Sequence, residues 1–303
     1  MIYDVVIVGG GPAGLAAALA LGRARKQTVL CDAGPRRNAA ASHVYNFLTR
    51  DGMPPAEMRR VGREQLTPYS SIETRDESVT QIAGERGAFE VRFASGSVQA
   101  RRILLCTGMI DVLPEINGFR DAWGKSIFQC PYCHGWEIQD RAFGVLAANL
   151  EMLEFALLLR GWSRSVVVFS NDQFEVPAAA RERLRSANIQ FEERSIARLV
   201  PNDTGLERLE FQDGSSVPID VLFARPRQRQ VALVEALGLA LDPMGYVQVS
   251  DPHRETSVPG IYAAGDLVTM AQAAVMAAAS GVQAAAMLNH ALTIELATSG
   301  ALT

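Results

Sequence analysis

The sequence has few cysteines, no excess of basic charge and no long run of strongly apolar residues. Only 4 of its 303 residues are cysteine, which excludes the disulfide framework of a small secreted domain. Its 29 Lys and Arg residues are outnumbered by 33 Asp and Glu residues, so the chain lacks the basic surface that nucleic acids require. The most membrane-like stretch, residues 271–288, consists mostly of Ala and includes Gln and Ser. We expect it to be a helix buried in protein and not a membrane span.

A secretory signal is also missing. The N-terminus runs directly into a strand-like segment, Tyr3–Val8, without a charged region, an apolar segment and a cleavage site. We therefore expect a cytoplasmic protein. Apolar residues make up 48% of the chain and charged residues 20%, which predicts a folded globular protein long enough for two domains.

Two strand–helix–strand segments follow one another along the chain. The first has a strand, a glycine-rich turn, a helix and a second strand at Val5–Val8, Gly9–Gly14, Leu15–Arg23 and Thr28–Cys31. The second has a strand, a helix and a strand at Phe143–Ala147, 150–161 and Val166–Phe169. Residues 88–105 between them read as two or three antiparallel strands. The alternation predicts an α/β protein of the doubly wound type.

We expect the first domain to be discontinuous. The chain crosses into a second domain near Leu113–Glu115 and returns near Leu241–Pro243, because Gly260–Asp266 reads as a further strand that ends in a Gly-Asp pair. The predicted fold has two Rossmann-like (βαβ) domains, the second inserted into the first. Residues 1–111 and 242–303 form one domain, and residues 112–241 form the other.

The turn after the first strand matches a dinucleotide-binding fingerprint. Gly9, Gly11 and Gly14 occupy the three glycine positions of G-x-G-x-x-G. The first glycine permits a tight turn, the second lets the backbone approach a pyrophosphate, and the third lets the helix pack closely on the strand. Asp32 ends the next strand, where an acidic residue binds a ribose hydroxyl. The pattern is weak alone, but in this order it predicts a dinucleotide site.

The far end of the chain indicates which dinucleotide is bound. Thr256–Asp266 resembles the second FAD motif of the pyridine nucleotide-disulfide oxidoreductase superfamily. The resemblance implies that Asp266 contacts the ribityl chain or a phosphate of FAD, and that the next helix points its N-terminus at the flavin. Thr107-Gly108 resembles the short motif that closes the FAD domain. Three motifs in this order favour FAD over NAD at the first site.

Cys130 and Cys133 form a C-x-x-C pair. Two thiols at this spacing at a helix start can close a small disulfide, and the helix dipole favours the thiolate. The alternative is half of a zinc site, which needs two more Cys or His ligands at short spacing. Only His134 is near, so the pattern favours a redox pair without a metal. Cys31 and Cys106 lie in apolar runs and are expected to be buried.

With these motifs, the chain resembles the low-molecular-weight thioredoxin reductases over nearly its full length. The resemblance implies that Cys130 faces the substrate, that Cys133 faces the flavin, that Asn46 lies near the flavin and that the protein is a homodimer. The expected FAD-binding residues are Gly9, Gly11, Pro12, Ala13, Gly14, Asp32, Ala33, Arg37, Asn46, Thr107, Gly108, Gly265, Asp266, Gln272 and Ala273.

His134 departs from that family, which usually has an aspartate after the second cysteine. A histidine there resembles the dithiol oxidases that close disulfides in small natural products such as gliotoxin and holomycin. Imidazole can take a thiol proton near neutral pH, so we expect His134 to be the base that serves Cys130 and Cys133. The alternative is a histidine that only packs or caps the helix.

The second domain lacks the features of a nicotinamide site. Where a second fingerprint would have three small residues, the sequence has Ala147, Asn149 and Met152. No basic cluster for a 2′-phosphate follows the next strand, although Asp172 would suit an NADH ribose. A glycine usual in the family is missing from 223–227, and Ala271 replaces the usual arginine before Gln272. NAD(P)H is therefore not expected to bind, while the domain fold is retained.

Four functions are compatible with these patterns. The leading hypothesis is a dithiol oxidase that oxidises a small-molecule dithiol through Cys130 and Cys133, with FAD as cofactor and oxygen as acceptor. The second is a disulfide reductase that acts on a thioredoxin-like protein and is supplied by ferredoxin or another flavin donor. A conventional NADPH-linked reductase is third. A non-enzymatic flavin-binding redox sensor is the fourth, and the intact cysteine pair argues against it.

Overall fold

The structure is a computed structural model that describes residues 2–34, 36–203 and 205–301. Its strands are β1 Ile2–Val8, β2 Thr28–Cys31, β3 Ile72–Arg75, β4 Gln81–Glu85, β5 Ala88–Phe93, β6 Gly96–Leu105, β7 Ile110–Val112, β8 Ile127–Phe128, β9 Phe143–Leu146, β10 Val166–Phe169, β11 Gln190–Glu192, β12 Ile196–Asn202, β13 Gly205–Phe211, β14 Ser216–Pro218, β15 Val221–Ala224, β16 Arg227–Arg229 and β17 Ile261–Ala263. Its α-helices are α1 Pro12–Arg23, α2 Pro55–Glu64, α3 Phe119–Ala122, α4 Pro131–His134, α5 Glu151–Leu159, α6 Ala178–Ser186, α7 Ala232–Ala236 and α8 Ala274–Thr298.

The chain forms two compact units. The first comprises Met1–Ala39, Asn46–Asp111 and Gln228–Thr303, and the second comprises Ala40–Tyr45 and Val112–Arg227. The predicted boundaries differ at Ala40–Tyr45, which belongs to the second unit, and at the return, which lies at 227/228 and not at 241/242. Val234 and Leu239 pack into a hydrophobic cluster of the first unit, which draws the segment after 227 into that unit.

The first unit is built on a sheet in the order β3-β2-β1-β6-β5-β4, with β17 beside β6. The strands β3, β2, β1, β6 and β17 run parallel, whereas β5 and β4 pair antiparallel. The antiparallel pairing predicted within 88–105 is therefore present between β5 and β6. The strand predicted over Gly260–Asp266 is shorter, because a 3₁₀ turn begins at Asp266.

Both faces of this sheet are covered. Alternate residues of β1 enter two different clusters: Val6 lies on one face, and Ile7 lies on the other with α1 and α8. A Cβ atom on Gly281 would overlap the backbone of Ala13, so a glycine there lets α8 lie directly on α1. Parallel strands buried on both faces are typical of doubly wound α/β folds.

The long C-terminal helix is only half buried. It was expected to be buried in protein over 271–288, but α8 begins at Ala274, and its residues Val275, Val282 and Ile294 are exposed. Its buried residues recur every three or four positions, so a single stripe faces the sheet. No helix within the described ranges has the length and apolarity that a membrane crossing requires.

The second unit has its own parallel sheet, in the order β11-β10-β9-β15-β8, and a smaller antiparallel sheet, β12-β13-β14. The helix α5 packs on the parallel sheet through Met152, Leu153, Phe155, Ala156 and Leu159. The cysteine pair lies in the segment after β8, with Cys130 immediately before the short helix α4.

Candidate active site

Three predicted FAD motifs meet at the N-terminus of α1. A Cβ on Gly9 would overlap the carbonyl of Cys106 and lie 3.2 Å from the Thr107 nitrogen, so the first turn lies directly on the Thr107-Gly108 segment. A Cβ on Gly265 would lie 3.0 Å from the Cβ of Ala13. The strands that precede these motifs, β1, β6 and β17, are neighbours in the sheet and end at the same edge. Ligands of such sheets bind at this edge.

The first turn fits a pyrophosphate. A Cβ on Gly11 would meet nothing within 4 Å, so the space beside it is open. No side chain in the described ranges caps the first turn of α1, and that turn carries no acidic residue. Its backbone N–H groups and the positive end of its dipole therefore remain available to a phosphate. Pro12 stands at the first helical position, where its missing N–H costs nothing.

Asp32 lies at the end of β2 with partners on both oxygens. Its Oδ1 accepts the backbone N–H of Gly34 at 3.1 Å, and its Oδ2 accepts from Arg59 Nε at 2.9 Å. Arg59 comes from the middle of α2, and the sequence pattern did not single it out. Ala33 follows Asp32 and is exposed. The arginine fixes the carboxylate that is predicted to hold the FAD ribose.

Arg37 is the centre of a polar network in the first unit. Its Nε and Nη2 donate to the two carboxylate oxygens of Asp111 at 2.8 and 2.9 Å. Its Nη1 donates to Asp266 at 3.1 Å and to the side-chain oxygen of Gln272 at 2.6 Å. Gln228 donates to Asp111 at 2.8 Å and to Gln272 at 3.0 Å. The network joins three predicted cofactor residues to two that carry no sequence signature.

The network also sets the charge of the site. Burial raises the pKa of Asp266, and the guanidinium of Arg37 opposes that rise.

Ala273 is the residue before α8, next to Gln272. Asn46 lies in another loop, where it has a left-handed φ of 57° and its backbone N–H donates to Asp51 at 2.7 Å.

The cysteine pair of the second unit is closed. Cys130 and Cys133 are disulfide-bonded, with Cα atoms 5.3 Å apart. Cys31 and Cys106 are free and buried, as expected, and burial raises the pKa of Cys31 to about 12. Among the described residues, no cluster of His, Cys, Asp and Glu is suited to a metal ion.

His134 lies between two aromatic rings of the second unit. Phe128 stacks on the imidazole at a centroid distance of 4.3 Å, and Tyr45 meets it edge-on at 6.0 Å. Burial lowers the pKa of His134 from 6.5 to about 4. The imidazole is therefore neutral at pH 7, and burial makes it a weaker base than an exposed histidine. The packing role left open by the sequence is real, and it is compatible with the role of a base.

The turn before α5 differs from the turn before α1. Asn149 Oδ1 accepts the backbone N–H of Met152 at 3.2 Å, so a side chain of the turn already caps the helix. Glu151 and Glu154 add negative charge to the first turn of α5. Met152 is buried in the hydrophobic cluster between α5 and the sheet, where a fingerprint would have a small residue.

Comparison with known proteins agrees with this architecture. The family model for pyridine nucleotide-disulphide oxidoreductases matches residues 3–283. The chain belongs to this family. Thioredoxin reductase tcpT from Claviceps purpurea is 34% identical over 97% of this chain and 96% of its own. Thioredoxin reductase aclD from Aspergillus oryzae is 34% identical over 94% of each.

Solved structures are similar over the whole chain. The crystal structure of HlmI has a TM-score of 0.91 at 38% identity and covers 99% of this chain and 95% of its own. An oxidoreductase from Agrobacterium tumefaciens has a TM-score of 0.91 at 37% identity, with 97% and 99% covered. The predicted resemblance to thioredoxin reductases and the α/β fold class are confirmed. The chain is an oxidoreductase that acts on sulfur groups, and its family implies FAD as the cofactor. The cytoplasmic location and the homodimer stay predictions.

Proposed function

We propose that the protein is an FAD-dependent dithiol oxidase that closes a disulfide in a small molecule and uses oxygen as acceptor. The observation that carries the proposal is the turn before α5, which bears on the source of the electrons. Its helix N-terminus is capped by Asn149, bordered by acidic residues and separated from the sheet by Met152. Each feature opposes a nicotinamide pyrophosphate, so we infer that NAD(P)H does not supply electrons.

The proposed reaction uses the disulfide seen in the second unit. One sulfur of the substrate attacks Cys130, breaks the bond to Cys133 and releases that sulfur as a thiolate. The second sulfur of the substrate then attacks the first, which frees Cys130 and leaves the substrate as a disulfide. Two electrons pass to the cysteine pair, and two protons leave the substrate thiols. FAD would supply the two-electron chemistry that returns the cysteine pair to its disulfide, with oxygen as the final acceptor, so that the two electrons and two protons lost by the substrate would leave as hydrogen peroxide.

His134 is proposed as the first acceptor of a thiol proton. It follows Cys133 directly and is held between Phe128 and Tyr45. Because burial lowers its pKa to about 4, it is unprotonated at neutral pH, which leaves it able to accept a proton while making it a weaker base. The cofactor residues proposed for the first unit are those of the three motifs, with Arg37 as the residue that holds Asp266 and Gln272 in place.

A second candidate is a disulfide reductase for a thioredoxin-like protein. It is favoured by the names of the curated relatives, which are thioredoxin reductases. In that case a donor such as ferredoxin would supply two electrons, FAD would relay them, and the reduced Cys130 and Cys133 would reduce the protein disulfide. The same residues serve both directions, so only the donor and the acceptor distinguish them.

Oxygen uptake tests the proposal. The purified flavoprotein is mixed with dithiothreitol in air, and oxygen consumption and peroxide are followed together. We expect one peroxide for each dithiol oxidised, and at least about a hundredfold loss in Cys130→Ser and Cys133→Ser with FAD still bound. His134→Gln keeps the cysteines and should lose about tenfold or more, as expected for a general base. Dithiol oxidation that persists in both serine variants would contradict the proposal.

A further inference from the structure

Two glutamine side chains of the first unit, Gln228 and Gln272, bond to each other through both ends of their amides. Gln228 Nε2 donates to Gln272 Oε1 at 3.0 Å, and Gln272 Nε2 donates to Gln228 Oε1 at 2.8 Å. The two residues lie 44 positions apart, one in β16 and the other in the segment before α8. We term them the amide pair. Gln228 matches no sequence motif, so its place in the cofactor site follows only from the structure.

Charged neighbours decide which way each amide points. The carboxylate of Asp111 only accepts hydrogen bonds, and Gln228 Nε2 donates to its Oδ1 at 2.8 Å. The guanidinium of Arg37 only donates, and its Nη1 donates to Gln272 Oε1 at 2.6 Å. Turning either amide around would place two acceptors or two donors against each other. The two charged groups therefore fix the amide pair in one arrangement.

Tyr246 completes the set of partners around Gln228. Its hydroxyl donates to Gln228 Oε1 at 3.1 Å, and the tyrosine is buried. Gln228 Oε1 thus accepts from Tyr246 and Gln272, while Nε2 donates to Asp111 and Gln272. A side-chain amide has two acceptor sites and two N–H donors, and all of them are used here. Gln228 is therefore suited to hold another residue and not to bind a ligand itself.

Gln272 uses its amide to close the segment that precedes α8. Its Nε2 lies within hydrogen-bond distance of the carbonyl oxygens of Asp266 and Thr269, at 3.3 and 3.2 Å. The side chain therefore ties residues 266–272 into a compact turn. This turn sets the position of the Asp266 carboxylate and of the first N–H groups of α8. No side chain in the described ranges caps α8, and its first turn has no acidic residue.

We propose that Gln228 is a positioning residue for FAD, which acts through Gln272. It holds the segment 266–272, and with it Asp266 and the start of α8, in the arrangement that the cofactor requires. Tyr246 supports Gln228 in this role. The inference rests on the FAD site proposed for the first unit, and it is independent of the direction of electron flow and of the acceptor.

A cycle of two single variants and their combination tests this role. The FAD dissociation constant and the free energy of unfolding are measured for the unmodified chain, Gln228→Leu, Gln272→Leu and the double variant. We expect Gln228→Leu to weaken FAD binding about tenfold, and the double variant to bind no more weakly than Gln272→Leu alone. Gln283→Leu is the matched control, because it removes another half-buried glutamine that accepts from an arginine, Arg254. It should change FAD affinity less than about twofold.

Two results of this cycle would overturn the proposal. If the losses of FAD affinity in Gln228→Leu and Gln272→Leu multiply in the double variant, Gln228 does not act through Gln272. If Gln228→Leu is less stable but binds FAD as tightly as the unmodified chain, its role is in folding alone. Neither measurement involves a dithiol or oxygen, so a failure of the oxidase proposal leaves this test intact. Dithiol oxidation together with unchanged FAD affinity in Gln228→Leu would support the oxidase and overturn this inference alone.

A milder variant serves if a leucine variant does not fold. Tyr246→Phe removes one hydroxyl and keeps the ring, so it should weaken FAD binding about threefold and shift the absorption band of the bound flavin. Tyr262→Phe, which changes another buried tyrosine of the first unit, is the control and should alter neither property. An unchanged spectrum and affinity in Tyr246→Phe, or equal changes in both variants, would contradict the proposed support of Gln228.

Discussion

Both units contain a strand, a turn and a helix in the same arrangement, β1 to α1 in the first and β9 to α5 in the second. The residues of the two turns, however, suit different purposes. In the first, Gly11 faces open space, and no side chain of the described residues caps α1. In the second, Asn149 caps α5, and Met152 fills the contact between helix and sheet. The same fold element can therefore hold a nucleotide or simply close a domain. The residues at the three fingerprint positions decide which.

The largest loss of stability is expected from a substitution in the ion network of the first unit, at Arg37. Arg37→Met leaves the carboxylates of Asp111 and Asp266 without their cation in a largely buried site. We expect the free energy of unfolding to fall by about 3 kcal/mol, with loss of FAD. Chemical unfolding of the first unit measures it. Arg185→Met in the second unit is the control, because the ion pair of Arg185 with Glu182 is exposed to solvent. An equal fall in the free energy of unfolding in both variants would show that the buried network stabilises the protein no more than an exposed arginine does.

The next test concerns the open space beside Gly11. Gly11 has φ −78°, so a side chain is tolerated by the backbone, and a Cβ there meets no neighbour. Gly11→Val should therefore fold normally yet bind FAD about a hundredfold more weakly, since the side chain occupies the space needed by the pyrophosphate. Asn149→Val makes the matching change in the second turn and should leave FAD affinity unaltered. The FAD dissociation constant measures both.

Gly14 sharpens the same comparison by separating folding from binding. A Cβ there would overlap the carbonyl oxygen of Gly9, because α1 lies directly on the turn. Gly14→Ala should therefore reduce the yield of folded protein by destabilising the apo state as well. If Gly11→Val also unfolds the apoprotein to the same degree, the assignment of that space to the pyrophosphate is wrong.

A smaller effect is expected from the cap of the second turn. Asn149→Ala removes the acceptor for the Met152 N–H and should lower the free energy of unfolding by about 1 kcal/mol. Gln173→Ala, an exposed change in the same unit, is the control. The variant should gain no affinity for NADPH, because Met152 and the acidic first turn remain. Tight NADPH binding after this single change would mean that the cap alone excluded the nucleotide.

A further effect is a pH dependence that arises from His134 in the second unit. The pKa of His134 is lowered from 6.5 to about 4 by burial, so the unfolded chain takes up the proton first as the pH falls. Stability contributed by the neutral imidazole is thus present above pH 6.5 and is lost as the pH falls towards about 4. This slope should be weaker in His134→Gln. Phe128→Leu opens one face of the ring and should raise the pKa, whereas Phe119→Leu, in another cluster, should not.

Much of the fold follows from local patterns. The strand–turn–helix units, the antiparallel strands near residue 90 and the fingerprint at Gly9, Gly11 and Gly14 each depend on residues that are close in sequence. The return to the first unit was placed too late, because Val234 and Leu239 join its core through contacts that no local pattern reveals. The extent of α8 was also underestimated, since its burial is a stripe and not a continuous run.

Sequence motifs predict candidate site residues, but they do not reveal which distant residues lie beside them. The spacing of Cys130 and Cys133 predicts the disulfide that the structure shows, and His134 remains a prediction from its place after Cys133. No pattern predicts Phe128 and Tyr45 beside the histidine. The bond from Arg37 to Asp266 joins residues 229 positions apart, and neither Asp111 nor Arg59 belongs to a motif. Their identity depends on packing of the whole unit, which a single sequence does not display.

Anaerobic reduction of the bound flavin tests the central claim most directly. The holoprotein is mixed without oxygen with NADPH, NADH and dithiothreitol in separate cuvettes, and the flavin absorbance is followed before and after air is admitted. We predict that only the dithiol bleaches the flavin, that Cys133→Ser prevents the bleaching, and that air restores the colour. Rapid bleaching by NADPH or NADH would contradict the account, because it would show that the turn before α5 still serves a nicotinamide cofactor.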